Sequence, residues 1–534
     1  MAGSTDVDAI WHKLKLDNRV KSRPSAAPHE AKCSALSTAP PVSAATPLCQ
    51  AVVHTGTASS FEGSVSRLAS DRLSVRRQAL QDLQALVTSR LGESTLTPAE
   101  ANKLGQATAP LLADAVASCR EGAANLLIIT VQASPSCTAK LLPYILPTMH
   151  SKLCTSSSEE AHEQSEEVRA ALIKLLISII QTHPQGIFDE GDKVLGMLAS
   201  SARDACADVN VLGCEALCLL ATVHGPALAV VSKQLVACAM PLLAHRLQKV
   251  RLVAVRAVQL LVPWGAHELI LTLTGFQDPN NVPLEEFYGP SVTVNFFAKL
   301  ACDSSIKVRA AFLALVGWWM THLDSRQEHE GRLLPYLLAA LSDSCPAISN
   351  AAWSILQQVG GVYERDHESE VQDMVDYAPA PDAQTTQALQ WLYKGAGRKL
   401  LPACVRERAG LGVRLLTQRC LGLLAGALAA EMTGWKEQEA DRAVAMLRSC
   451  IILAEDALAD HLGTLLPAMC KVIENPQSGE SIAGSMEIMA SFMQPQQQLQ
   501  WLLPMLTKPG GASEARIPVL HLLTCALEGS GMTN

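Results

Sequence analysis

At residues 303–319 the chain reads DSSIKVRAAFLALVGWW: an acidic residue, four spacers, a β-branched residue, an arginine, then a run dense in Ala and Leu. Such a run favours helix, because Ala and Leu lose little conformational freedom on entering one. The same phrase recurs as SVRRQALQDLQAL at Val75, EEVRAALIKLLISI at Val168 and Arg169, and ADVNVLGCEALCLL at Val209. It returns as QKVRLVAVRAVQLLV at Val250 and Arg251, and as PAISNAAWSILQQV at Ile348, with a weaker copy, GVRLLTQRCLGLLAG, at Val413. The steps from Val75 to Val413 are 93, 41, 41, 58, 40 and 65 residues. The unit is therefore about forty residues. The longest step holds two units, with a weak phrase near Gly122, while the steps of 58 and 65 carry insertions at about 264–295 and 362–395.

Before most phrases stands another amphipathic segment that carries a proline: Pro143, Pro241, Pro335, Pro467 and Pro504. A proline inside a helix removes one backbone hydrogen bond and is expected to bend it. A period of roughly 40–47 residues with two helices per unit marks HEAT or armadillo arrays. The proline in the first helix and the Asp-x4-Val-Arg opening the second resemble HEAT. Asp303 with Val308 and Arg309 is the complete copy, whereas Asp204 with Val209 and Asp343 with Ile348 keep the acid without the arginine. The expected fold is all-α: an α-solenoid of roughly ten HEAT/armadillo-like hairpins in a right-handed superhelix. Residues 1–60, rich in Ala, Ser, Pro and Thr, read as a disordered low-complexity head with one short helix near Ala9–Leu16. Residues 61–377 read as an N-terminal array and 378–534 as continuing repeats, incomplete at the C-terminal end because the last apolar helix has no polar cap.

Composition narrows the function. Of 534 residues, 49% are hydrophobic but only 4% aromatic and 18% charged, and the net charge is -8. That charge argues against a nucleic-acid partner, which requires a clustered cationic face. The sixteen cysteines form no CxxC pair and several lie in apolar helical runs, as with Cys214 and Cys218, so they read as reduced, buried thiols. No signal or transit peptide is legible, and no apolar run reads as long and charge-free enough to span a bilayer. The expectation is a soluble intracellular protein.

Several residue groups invite a chemical reading. Five His-Glu dipeptides occur, at His29, His162, His267, His329 and His367, but their spacing is irregular and three lie in polar stretches (EEAHEQSEE, RQEHEGR, ERDHESE) read as solvated loops. Metal coordination needs fixed, supported ligand geometry, which such loops do not supply. No phosphate loop, GxSxG elbow or HExxH is present, so no catalytic, cofactor or metal residue is assigned. The arginines Arg76, Arg169, Arg251 and Arg309 at the start of second helices read as a structural ladder, hydrogen-bonding between repeats beside the turn acids, rather than as a basic face for an acidic partner. Candidate partner contacts are Trp318 and Trp319, one expected in the core and one half exposed because neighbours on a helix point about 100° apart. The others are the acids of Tyr363–Tyr377: Glu364, Asp366, Glu368, Glu370, Asp373 and Asp376, read as a loop able to receive a basic surface.

Three stretches carry a more specific likeness: SKQLVACAMPLLAHRLQKVRLVAVRAVQLLV, IKVRAAFLALVGWWMTHLD and RLLPYLLAALSDSCPAISNAAWSILQQVGGVYERDHESEVQDMVDY. Together, over residues 231–377, they resemble the HEAT-repeat dynein axonemal assembly factor 5 family; the likeness continues more loosely through GRKLLPACVRERAG, the GW of MTGWKEQEADRAV and LRSCIILAEDALADHLGTLLPAMCKVI. The resemblance implies a non-catalytic cytoplasmic factor that helps axonemal dynein heavy and intermediate chains, with co-chaperones, to assemble before transport into cilia. The alternative is a generic HEAT scaffold or transport adaptor, of phosphatase-scaffold or karyopherin-like type. An iron hydroxylase built on His-Glu pairs ranks behind both.

Overall fold

The computed structural model describes residues 61–90, 96–154, 163–275, 295–377, 383–434, 437–507 and 516–530. The head read at 1–60, and its short helix, lie outside the described residues. Among those described the chain is helical and forms no strand. They gather into two compact units, one ending at Ser200 and one beginning at Ser201.

The first unit is built from hairpins: α1 (Phe61–Arg67) with α2 (Leu73–Arg90), α3 (Pro98–Thr108) with α4 (Ala117–Ala133), and α5 (Thr138–Leu153) with α6 (Glu166–Thr182). Helix α7 (Gly191–Ala202) follows. The second helices α2, α4 and α6 pack side by side, so each repeat covers its neighbour's apolar face. Local sequence sets the helix starts. Thr97 accepts from the Glu100 N–H and the Glu100 carboxylate accepts from the Thr97 N–H, a reciprocal capping box.

In the second unit come α8 (Ala207–His224), α9 (Ser232–Ala239), α10 (Gln248–Leu261), the short α11 (Leu269–Leu273) and α12 (Phe296–Ala301), then α13 (Ile306–His322), α14 (Arg326–Ala340) and α15 (Pro346–Asp366). Next are α16 (Glu368–Tyr377), α17 (Ala383–Lys394), α18 (Leu411–Met432), α19 (Glu437–Ala454) and α20 (Leu462–Val472). Finally α21 (Gly479–Phe492), α22 (Pro495–Thr507) and α23 (Ile517–Gly529) complete it. A continuous inner row runs α8, α10, α13, α15, α18, α19, α21, α23, each packed on the next. The β-branched residue of the repeated phrase points into the core of its own unit: Val168 in the first and Val209, Val250, Val308 and Ile348 in the second are buried. Where α15 meets α18 the backbones touch, because a Cβ on Gly412 would lie 2.0 Å from the Gly360 carbonyl oxygen.

The prolines act in two ways. Pro143, Pro335, Pro467 and Pro504 lie inside α5, α14, α20 and α22, whereas Pro110 and Pro241 begin 3-10 turns (Ala109–Ala113, Met240–Ala244) that continue α3 and α9. One expectation is overturned. Ala207–Leu228 and Leu411–Met432 are long and apolar enough to cross a membrane. Both lie in the inner row, where their apolar faces are taken up by packing, Ala207–Leu228 on α10 and Leu411–Met432 on α15, α19 and α20.

Candidate functional site

The repeated arginine forms an inter-repeat rung. In α13, Arg309 sits one residue after Val308, and a helical side chain leans back over the turn before it. Its Nη1 donates to the Asp303 carbonyl at 2.7 Å, while Nε and Nη2 donate to both carboxylate oxygens of Asp343, in the next turn, at 2.8 and 3.0 Å. That pairing holds the Arg309 guanidinium above its ordinary pKa. Asp343 also accepts from the Cys345 N–H at 2.8 Å, so it braces the turn that leads into its own helix while anchoring its neighbour's arginine. Arg251 repeats the pattern, spanning Asp303 bidentately at 2.6 and 2.9 Å and its own turn's His245 carbonyl at 2.7 Å. In the first unit, Arg76 reaches Asp114 at 2.8 Å and Arg120 reaches Glu163 at 2.6 Å, while Arg169 donates to the Glu163 and Gln164 carbonyls.

Two of these residues correct the sequence reading. Glu163, read as part of a solvated loop, is buried; burial acts to raise its pKa, but Arg120 and the Ser165 N–H outweigh it and hold the carboxyl below its ordinary value. Arg120 opens the weak phrase near Gly122 but stands outside the ladder read from the sequence, because Cys119 occupies the β-branched position before it. The RQEHEGR stretch is likewise no loop: it opens α14, with His329 and Glu330 buried.

Two joints in the second unit, α8–α10 and α15–α18, lack the rung, the latter because Ser349 stands at the arginine position. Asn210 occupies the arginine position of α8 and turns back to the Ser201 and Asp204 carbonyls, at 2.8 and 3.1 Å. His245 occupies the acid position of the following turn, its Nδ1 taking the Leu247 N–H at 3.1 Å. Further on, Arg408 stands where an acid is expected before α18. Arg408 and Arg414 converge on buried Glu455, at 2.5 and 3.3 Å. Glu455 holds this place with a φ of 53°, the left-handed region that non-glycine residues seldom adopt.

The candidate contact residues separate on inspection. Trp319 is buried and its indole N–H donates to the Gln259 carbonyl at 3.2 Å, so it is the core ring of the pair and fills the joint between α10 and α13 rather than meeting a partner. It lies 5.7 Å from Phe297, which meets Phe312 and Tyr336 edge-on. Trp318 is half-buried and stacks on His322 at 4.8 Å. The segment 363–377 is helical rather than a loop, formed by the end of α15 and by α16. Glu364 accepts the Gly412 N–H at 2.6 Å, and Asp366 binds Arg326 through both oxygens, so these two acids are engaged within the fold. Glu368, Glu370 and Asp373 are exposed. The Asp376 side chain lies outside the described residues, as do Trp435, His29 and His162.

Beside the rungs, a cleft of about 370 Å³ opens between α13, α14 and α19, lined by Cys302, Asp303, Tyr336, Asp343, Asp441 and Arg442. Its carboxylates are engaged, Asp303 and Asp343 by arginines and Asp441 by the Ser478 hydroxyl. Among the described residues no three His, Cys, Asp or Glu side chains gather as metal ligands. Burial pushes the Cys214 and Cys218 thiols up to about 12, which suppresses their thiolate forms.

Hairpins stacked through buried valines and arginine–acid rungs define a HEAT-type α-solenoid. Models of dynein axonemal assembly factor 5 match nearly the whole described chain: the "Dynein axonemal assembly factor 5-like, TPR repeats" model over residues 67–275 and 290–374, and the "Dynein axonemal assembly factor 5, HEAT-repeat domain" model over 399–533. The chain belongs to the dynein axonemal assembly factor 5 family. It is 25% identical to dynein axonemal assembly factor 5 of Mus musculus over 82% of this chain and 48% of that protein. The Xenopus laevis protein of the same name is 24% identical over 85% of this chain and 48% of its own length. The chain thus spans about half the length of these curated relatives. Among solved structures, a chain of the Kap95:Nup1 complex superposes with a TM-score of 0.43 at 12% identity, covering 88% of this chain and 57% of that one.

Proposed function

We propose that this chain acts as a non-catalytic cytoplasmic factor in the pre-assembly of axonemal dynein arms, holding dynein heavy and intermediate chains together with co-chaperones. The observation that carries this reading is membership of the dynein axonemal assembly factor 5 family across both units. The physical reading agrees with it. Stacked repeats offer extended helix faces to a large client, and the cleft's carboxylates are tied up in the fold rather than poised for proton transfer.

The test is affinity capture of the tagged chain from cells regrowing cilia, followed by mass spectrometry. Axonemal dynein chains and chaperones enriched over an unrelated HEAT-repeat control support the reading. Their absence, with phosphatase subunits or nuclear cargo recovered instead, overturns it in favour of a general scaffold or transport adaptor.

A further inference from the structure

We infer that α16 is a docking helix for a cationic amphipathic segment of a partner protein. The acidic stretch divides at His367. Before it, Glu364 and Asp366 are consumed by the Gly412 N–H and by Arg326; after it, Glu368, Glu370 and Asp373 are exposed and make no ion pair among the described residues. Helix α16 therefore carries charge that the fold does not use.

It also carries an apolar stripe that the fold does not cover. Val371, Met374 and Val375 stand at helical positions i, i+3 and i+4, hence on one face. Met374 is 47% exposed and Val375 62% exposed, although most apolar side chains of this chain are turned inward. The principal packing of α16 is against the end of α15, which leaves that face open. At about 100° per residue, Glu368 borders the stripe beside Val375 and Glu370 borders it beside Met374. An apolar line with a carboxylate on each side is complementary to a helix or groove edge that presents Leu-like residues flanked by Lys or Arg. Methionine suits such a surface because its flexible thioether adapts to differently shaped partners. The same carboxylates repel phosphate backbones and anionic lipid surfaces, so the occupant is a protein segment. The inference rests on α16 alone, and its failure would leave the assembly-factor reading untouched.

The experiment uses the full chain and a fluorescent 18-residue peptide with Leu at helical spacing and Lys elsewhere, alongside the same peptide with Glu for Lys. Anisotropy should show binding of the Lys peptide only. M374S/V375S should weaken it about tenfold, and E368Q/E370Q should weaken it about tenfold and flatten its salt dependence. The charge-matched control E215Q/E474Q, at exposed acids elsewhere, should bind as the parent does. Unchanged helical circular dichroism in every variant guards against misfolding. Equal affinity across all variants, an equal loss in the control pair, or no binding of the Lys peptide overturns the proposal. So does dimerisation that M374S/V375S abolishes, since the stripe would then be covered by a second copy.

Discussion

Arg309 and Asp343, thirty-four residues apart, meet through two parallel hydrogen bonds of 2.8 and 3.0 Å with their side chains 14% and 12% exposed. Planar, bidentate and mostly desolvated, this pair has the geometry in which an ion pair is costly to break from one side. Arg309→Ala should destabilise the second unit by about 3 kcal/mol in urea unfolding, because it strands a carboxylate that was paired. Arg309→Lys should recover less than half of that, since an ammonium cannot span both oxygens and the Asp303 carbonyl together. Loss below about 0.5 kcal/mol would reduce the rung to a surface contact.

Between α8 and α10 the joint has no rung, and the ion pair that spans it, Lys249–Asp208, is exposed. Installing Asn210→Arg with His245→Asp should raise the thermal midpoint, with a coupling of about 1 kcal/mol between the two changes in a double-mutant cycle. Strictly additive effects would show that the joint's geometry cannot accept a rung.

Gly412 allows α18 to lie against α15. A methyl group there would meet the Gly360 oxygen at 2.0 Å and the Glu364 side chain at 2.7 Å, and neither helix backbone can retreat without its neighbours. Gly412→Ala should therefore cost about 2 kcal/mol, against a helix-propensity gain of about 1 kcal/mol that it would bring at an open site. A neutral or stabilising outcome in chemical denaturation would contradict the close crossing.

His329 gives stability a pH dependence. Burial lowers its pKa below the ordinary 6.5, and neither ring nitrogen has a hydrogen-bond partner. The unfolded chain then binds the proton more readily than the folded one, so this contribution is complete above about pH 6.5 and declines as pH falls toward the depressed folded value. Glu330, raised by burial, works oppositely at lower pH. His329→Leu should lose less thermal stability than the parent between pH 7.5 and pH 5.5, read by scanning calorimetry; identical losses would place the titrating group elsewhere.

What the sequence disclosed and what it hid follow one physical division. The buried β-branched residue and the leaning arginine recur because every repeat needs them, and so Val168, Val250 and Val308 marked the helices well. Partners across repeats have no fixed spacing: Arg251 reaches Asp303 across an insertion of unpredictable length, and Arg120 reaches Glu163 across the 155–162 stretch. Polarity misled for the same reason. His329 and Glu330 look like loop residues in one dimension, yet α14 packs against both α18 and α19 and buries them. Trp318 and Trp319 could be separated into outer and inner rings by helical geometry, but which was inner depended on the neighbour α10.

Asp343 serves two helices at once, accepting the Cys345 N–H of its own and the guanidinium of the one before. In a nearest-neighbour description of a repeat array, the stability of each repeat and the strength of each junction are separate parameters. Here they share an atom pair. A substitution at the acid perturbs both parameters together, whereas one at the arginine leaves the following turn intact, so the two halves of a rung report different quantities about how cooperatively the array melts.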